Sequence, residues 1–145
     1  TPLVQETHTY HNILRTREFC INFIGAQYFD ACYQTVFNNS EDTDEIDVGG
    51  FTAEPASCIH APRIREAFLS LECTLHSHTD LSGKGISSLI IGKVQLAAID
   101  QDYLNGSEKK YGPDGFMYYL YDLYNFASSD QGERKVASLN ILRKA

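Results

Sequence analysis

The residues with the clearest chemical potential lie near the start of the chain, in the run His8-Thr9-Tyr10-His11-Asn12. They bring hydroxyl, imidazole and amide groups together within about one helical turn. A threonine at position 7 or 9 is typical of a helix N-cap, because its hydroxyl accepts a hydrogen bond from an amide of the first turn. The remaining amides and the helix dipole would stabilise an anion such as a phosphate. The turn is therefore a candidate anion site, and the simpler alternative is a helix cap without a ligand.

The elements that must hold this turn follow from the spacing of the apolar residues. Tyr10, Ile13 and Leu14 recur at helical intervals, which predicts a short helix. From Glu18 the period changes to two, which predicts a strand that runs to Phe23. One face of this strand carries Phe19, Ile21 and Phe23, and the other carries Glu18, Cys20 and Asn22.

Composition narrows the class of protein. The 145 residues suit one domain, with 43% hydrophobic and 21% charged residues. A net charge of −7 without a basic cluster argues against nucleic acid as a partner. The apolar runs are too short to span a bilayer, and the first residues do not show a basic start followed by an apolar run. The four scattered cysteines are interpreted as reduced, mostly buried thiols of a cytoplasmic protein.

Hydrophobic periodicity predicts a mostly β chain beyond the first strand. The middle of the segment 86–99, Leu89-Ile90-Ile91, is apolar on both faces and predicts a strand packed on both sides. His76 and His78 project from one face of the strand 68–78, a spacing that suits a metal, but without a third ligand they predict a polar outer face and no metal site. The remaining predictions are a helix over 26–37, a solvated acidic loop over 41–50 and a final strand over 135–142.

Three short motifs resemble those of one known family. Thr9, Asn12 and Ile13 match a T-x-x-N-I pattern, which is followed by E-F-x-x-N at residues 18–22. The strand Ile91-Gly92-Lys93-Val94 matches a third motif, I-G-x-V. Together they resemble the flavin reductase-like domains, whose fold is the FMN-binding split barrel. A histidine that many members carry just before the third motif has no counterpart here, because Ser87 and Ser88 occupy that region.

The resemblance implies a fold, a cofactor and a set of contacts. The fold would be a mainly antiparallel β split barrel with short flanking helices, a single domain over 1–145 whose N-terminal strands are absent from this sequence. The cofactor would be FMN, with FAD as an alternative and NAD(P)H as co-substrate. Thr9 and Asn12 would form hydrogen bonds to the phosphate and ribityl chain, and His8 and Tyr10 would flank them. No catalytic acid or base is implied.

The implied assembly is a homodimer with the flavin near its interface, and a redox protein is a further expected partner. The aromatic segment 117–126 could stack on a flavin ring, although a core or dimer surface is the preferred interpretation. Three functions remain open: a flavin reductase that uses NAD(P)H, an FMN electron carrier that accepts electrons from a protein, and a dimeric binding module without a cofactor.

Overall fold

The computed structural model describes residues 2–36, 40, 42–121 and 134–140. Its strands are β1 (Pro2–Val4), β2 (Glu18–Phe23), β3 (Ala53–Glu54), β4 (Arg63–Ile64), β5 (Leu69–Asp80), β6 (Ser87–Ile99), β7 (Met117–Tyr121) and β8 (Arg134–Ser138). Its α-helices are α1 (His8–Thr16), α2 (Phe29–Gln34), α3 (Glu45–Val48) and α4 (Gln101–Asn105), and two short 3₁₀ turns cover Ala26–Tyr28 and Ser107–Lys110. None of the helices in these ranges is long and apolar enough to cross a membrane.

The main sheet has four antiparallel strands in the order β1-β6-β5-β2. Its long central pair, β5 and β6, is joined by a turn at residues 81–86 and carries two register shifts, next to Cys73 and next to Ser77. Such irregularities bend and twist a strand, and the sheet is correspondingly curled. The predicted mainly antiparallel β architecture with short helices is therefore confirmed.

Two hydrophobic clusters stabilise this arrangement. The larger one lies between α1 and the sheet, and its buried members are Tyr10, Ile13, Phe19, Cys73, Leu75 and Ile90. The smaller one contains Ile24, Phe51 and Ala67, with α2 and α3 packed against it through partly buried residues. The first helix and β2 were both predicted from periodicity, and their packing explains why: each presents one apolar face to the same core.

The prediction that β6 is packed on both sides is wrong. Ile90 is only 2% exposed, whereas Ile91 and Val94 are 45% and 49% exposed. Successive side chains of a strand point to opposite faces, and α1 covers only the face that carries Ile90. Among the described residues, Ile91 is therefore exposed on the opposite face of β6, and Val94, which shares the face of Ile90 by spacing, is exposed as well.

The prediction of a polar outer face on β5 holds only for part of the strand. His76 and His78 are exposed, as expected. Ser70 and Glu72, on the same face by spacing, are 4% and 0% exposed. The segment around Ser57 covers this end of the strand and donates hydrogen bonds to Glu72, which makes burial of its carboxylate tolerable.

Three smaller predictions also change. The acidic segment contains helix α3, because the Asp44 carboxylate accepts a hydrogen bond from Ile46 N at 2.8 Å and caps its first turn. The expected long helix over 26–37 is a 3₁₀ turn followed by the shorter α2, with Phe37 outside the described residues. The cysteines are free, but only Cys73 is buried and Cys58 is exposed.

The aromatic and final segments are described in part. Residues 117–121 form β7, which pairs with β8, while residues 122–133 and 141–145 lie outside the described residues. Tyr118, Tyr119 and Leu120 are each about half exposed. The predicted final strand is confirmed over its first part, since β8 ends at Ser138.

Candidate functional site

Helix α1 begins at the threonine cap that the sequence indicated, and the cap is Thr7. Its hydroxyl accepts a hydrogen bond from Tyr10 N at 3.3 Å and donates one to Val4 O at 2.8 Å. The helix ends at Arg17, which adopts a left-handed conformation (φ 64°) and donates a hydrogen bond from its backbone amide to Ile13 O. The candidate turn is thus tied to β1 at one end and to the core at the other.

The structure separates the four residues predicted to contact a ligand. His8 Nδ1 lies 3.1 Å from Glu45 Oε1, which links α1 to α3. Asn12 is exposed, and its Oδ1 accepts a hydrogen bond from Arg15 at 2.9 Å. Thr9 is exposed beside them, whereas Tyr10 is 6% exposed and belongs to the core.

Tyr10 therefore connects the turn to the core beneath α1. Its hydroxyl accepts a hydrogen bond from Ser88 Oγ at 3.4 Å, and Ser88 in turn accepts one from Gln5 at 2.9 Å. Its ring also contacts the rings of His11 and His78 edge-on, with centroids 5.8 and 6.3 Å apart. This network joins β1, α1, β5 and β6, so the backbone of the turn is held by the sheet.

His8 and Asn12 line one open cavity of about 570 Å³, referred to below as the polar cavity. Neither Thr9 nor Tyr10 is among its lining residues. The opposite wall is acidic and consists of Asp42, Thr43, Asp44 and Glu45. One of the three carboxylates is paired with His8, and for a phosphate to bind here the amides and dipole of α1 must outweigh the remaining negative charge of the wall.

A second cavity of about 300 Å³, the apolar cavity, shares one lining residue, Glu45, with the polar cavity. Its lining is mostly hydrophobic and comes from distant parts of the chain: Asn22, Ile24, Cys32, Thr35, Glu45, Ile46, Phe51, Ile64 and Met117. Sequence reasoning missed this cavity. The E-F-x-x-N motif was the one signal available, because its asparagine is part of the lining.

Asn22 is fixed by its neighbours. Its Oδ1 accepts hydrogen bonds from Ile64 N at 3.2 Å and from Ser70 Oγ at 2.8 Å. The oxygen is therefore occupied on both sides, and the amino group is the part of the side chain that remains to donate. A donor held in this way beside apolar walls is typical of a site that recognises the polar edge of a flat heterocycle.

The thiols near these cavities are not activated. Burial raises the pKa of Cys32, which lines the apolar cavity. Burial, with the charge of Glu72 adding to it, raises the pKa of Cys20 to about 11. These thiols stay protonated near neutral pH, and nucleophilic cysteine chemistry requires the thiolate. Among the described residues, no cluster of three or more histidine, cysteine or acidic side chains has metal-binding geometry.

A curled antiparallel sheet with short helices is the architecture of split-barrel proteins. The structure is similar to a protein with a split barrel domain from Shewanella frigidimarina NCIMB 400, with a TM-score of 0.73 and 19% identity, over 100% of this chain and 68% of that one. It is similar to flavoredoxin from Methanosarcina acetivorans at a TM-score of 0.73 and 18% identity, over 100% and 70% of the two chains. At these identities the likeness shows the fold.

The chain belongs to the flavin reductase like domain family, whose model matches residues 3–122. It is 29% identical over 109 residues to an uncharacterized protein of Aquifex aeolicus, covering 74% of this chain and 55% of the relative. A second uncharacterized protein, from Methanothermobacter thermautotrophicus, is 30% identical over 98 residues, covering 67% and 46%. The chain thus spans about half the length of these two relatives.

Proposed function

We propose that this chain binds FMN in the cleft formed by the polar and apolar cavities and acts as a flavin reductase-type oxidoreductase. The observation that carries the proposal is that the two cavities are neighbours, with Glu45 in the lining of both. An amphiphilic cofactor with a flat ring and a polyhydroxyl tail matches one apolar and one polar compartment in series. Their volumes, about 300 and 570 Å³, lie within the range of ordinary ligand sites.

The residues present fit the two parts of the cofactor differently. Phe51, Ile64 and Met117 offer apolar contacts to the ring, and Asn22 and Thr35 offer hydrogen bonds to its polar edge. The tail would meet the first turn of α1 on the opposite side of Glu45.

At the helix, Thr9 and Asn12 are proposed to form hydrogen bonds to the ribityl chain and phosphate, with His8 and Tyr10 as flanking groups. His8 is oriented by Glu45. Tyr10 is buried in the core, and its contact with Ser88 holds the backbone of the turn in place. When bound, the flavin supplies hydride and single-electron chemistry. The role of the protein is to bind and orient the cofactor and to exclude water. No side chain is assigned as an acid or base.

A homodimer with the flavin near its interface is part of the proposal. Ile91 and Val94 on β6 are exposed apolar side chains, and so, in a separate sheet, are Tyr118, Tyr119 and Leu120 on β7. Apolar surface of this kind favours association with another chain. The direct test is the mass of the full chain in solution by light scattering, with and without FMN.

The electron donor distinguishes two candidate functions. NAD(P)H as donor defines a reductase, and a protein donor defines an electron carrier. The second candidate is supported by the similarity to a flavoredoxin structure. We expect NAD(P)H to bleach the flavin absorption of the loaded protein under anaerobic conditions. A flavin that stays oxidised with both nicotinamide nucleotides would favour the carrier.

The binding claim is tested with the full chain and added FMN. We expect flavin absorption to remain with the protein through gel filtration. Replacing Thr9 and Asn12 with alanine should weaken FMN binding by about 2 kcal/mol, from two hydrogen bonds of about 1 kcal/mol each. A matched control replaces Thr79 and Asn105, two exposed residues outside both cavities. A colourless protein, which would indicate a binding module without flavin, would contradict the proposal.

A further inference from the structure

A third cavity, of about 230 Å³, lies beside the flavin cleft and is lined by two arginines. Arg63 and Arg65 line it together with Glu54, Ser70 and Asp100, and it shares Ile64 with the apolar cavity. Since alternate residues of an extended segment point to the same side, the two guanidinium groups are placed on one face of the β3–β4 hairpin. We refer to this cavity as the arginine pocket.

The guanidinium groups of the pocket hold ion pairs but form no hydrogen bonds within the described residues. Arg63 NH2 and Arg65 Nε lie 3.5 and 3.7 Å from the Glu54 carboxylate. Arg63 Nε is buried, lies 3.9 Å from Glu72 and lacks a hydrogen-bond partner. Each guanidinium carries five N–H donors, so most of the donor capacity of the pocket is unused.

The two arginines differ in exposure. Arg63 is 21% exposed and is held between Glu54 and the buried Glu72. Arg65 is 64% exposed, pairs with the outer carboxylate of Glu54 and also acts on the charge of Glu66. Arg63 is therefore held in place by the fold, and Arg65 is the more accessible of the two guanidinium groups. Planar guanidinium groups bind phosphate oxygens in pairs, which gives both strength and orientation.

The acidic residues of the pocket set a requirement on the ligand. Glu54, Asp100 and the buried Glu72 behind Arg63 set three carboxylates against the two arginine charges, so a single weak acceptor would gain little over the existing ion pairs. A phosphate monoester offers two negative charges and three oxygens, enough to replace the long contacts to Glu54 with direct hydrogen bonds.

We propose that the arginine pocket binds the phosphate monoester of a nucleotide, and specifically the 2′-phosphate of NADPH. This rests on the proposed function, which places the flavin in the adjoining cleft and its own phosphate at α1. Arginine is the side chain that accommodates a 2′-phosphate in other nucleotide sites. The pocket would make the protein select NADPH over NADH, a preference that the sequence motifs did not indicate.

The test measures binding of NADP⁺ and NAD⁺ to the full chain by calorimetry, without flavin. The wild-type chain should bind NADP⁺ about tenfold more tightly than NAD⁺, and Arg65→Gln should abolish that difference. Asp100→Asn should tighten NADP⁺ binding, because it removes an opposing charge. Arg17→Gln is the control, since Arg17 is exposed, lies beside Leu75 in the middle of β5 and is outside the three cavities.

A parallel arm separates the two sources of a phosphate monoester. The dissociation constants of FMN and riboflavin are measured for the wild type and for Arg65→Gln. Loss of FMN affinity with unchanged riboflavin affinity would show that the pocket takes the flavin phosphate, and would overturn the 2′-phosphate assignment. Equal binding of NADP⁺ and NAD⁺, with FMN affinity unaffected by Arg65→Gln, would overturn the pocket as a phosphate site.

The calorimetric arm also separates this inference from the proposed function. Selective NADP⁺ binding by a chain that ignores FMN would support the pocket and contradict the flavin site. Retention of FMN by a chain with equal affinity for both nicotinamide nucleotides would support the flavin site and contradict the pocket. Arg65→Lys provides a further check, because it keeps the charge but loses the planar fork, and we expect it to retain only part of the preference.

Discussion

The carboxylate of Glu72, fully buried on β5, accepts hydrogen bonds from both the amide and the thiol of Cys58, at 2.8 and 3.0 Å. The amide of Ser57 adds contacts of 3.0 and 3.1 Å to its two oxygens. Arg63 Nε lies 3.9 Å from Oε1 of the same carboxylate. A single buried charge thus connects the central strand to the loop before β4 and to the arginine pocket.

Replacing Glu72 with glutamine should lower the free energy of unfolding by about 3 kcal/mol. The substitution replaces one acceptor oxygen with an amino group, which faces the donors of Ser57 and Cys58 and cannot accept from them. It also leaves Arg63 without its buried counter-charge. Urea denaturation followed by circular dichroism gives the value. Cys58→Ala is the graded control, with an expected cost of about 1 kcal/mol because it removes only the thiol donor. A loss below about 0.5 kcal/mol for Glu72→Gln would contradict this account of the network.

The same carboxylate predicts how stability depends on pH. Burial alone raises the pKa of Glu72, but the hydrogen bonds from Cys58 and Ser57 and the charge of Arg63 outweigh it, so the pKa lies below its ordinary value of 4.5. A carboxyl group with a lowered folded pKa stabilises the fold fully above the unfolded pKa. We expect that contribution to be lost as the pH falls from about 4.5 through the lower folded value.

The measurement is the urea midpoint between pH 3 and pH 7 for the wild type and Glu72→Gln. The difference between the two proteins should be constant above about pH 5 and should shrink in more acidic solution. Glu66 retains a lowered pKa in both proteins, since hydrogen bonds from Thr52 outweigh its burial. Both curves should therefore still decline in acid. A difference that grows as the pH falls would contradict the assignment.

Gly92 on β6 provides a test of core packing. A Cβ atom at this position would meet the ring of Phe19, reaching its Cζ and lying 3.0 Å from its Cε1, and would lie 3.2 Å from Cys73 Cβ. Because Phe19 is a buried core residue, its ring has little room to move. Gly92→Ala should therefore destabilise the fold by about 2 kcal/mol.

The Gly92 prediction has an internal control in a double-mutant cycle. On a Phe19→Leu background the ring edge is gone, so Gly92→Ala should cost clearly less than in the wild type. The quantity to compare is the free energy of unfolding of the four proteins. Additive costs would mean that the glycine is required for a reason other than contact with Phe19.

The local elements were predictable because their signals are local. The helix at His8–Thr16 and the strand at Glu18–Phe23 follow from a change of period within one short segment. The helix cap was predicted only as a choice between two threonines, since spacing alone does not decide which hydroxyl faces the turn.

The site was less predictable because it is assembled from distant segments. Asn22 and Met117 line one cavity although about a hundred positions separate them. Glu72 has an alternating pattern typical of a solvent-facing residue, and only the loop that carries Ser57 explains its burial. Periodicity reports which residues share a face, but it carries no information on what covers that face.

The last prediction separates the structural role of Thr7 from the proposed ligand role of Thr9. Thr7→Ala should lower the free energy of unfolding by about 1 kcal/mol, because it removes the hydroxyl that accepts from Tyr10 N. Thr9→Ala should change it by less than about 0.5 kcal/mol, since Thr9 is exposed.

For FMN affinity the expected order of the two variants is reversed. Thr9→Ala should weaken binding by about 1 kcal/mol, the ordinary value of one hydrogen bond. Thr7→Ala should leave the affinity unchanged at temperatures where the helix stays folded, because the Thr7 hydroxyl is already bonded to Val4 and Tyr10. Urea unfolding and flavin fluorescence titration of the same two variants provide both measurements. An FMN affinity that falls with Thr7→Ala and not with Thr9→Ala would remove Thr9 from the proposed site and leave the turn with a purely structural role.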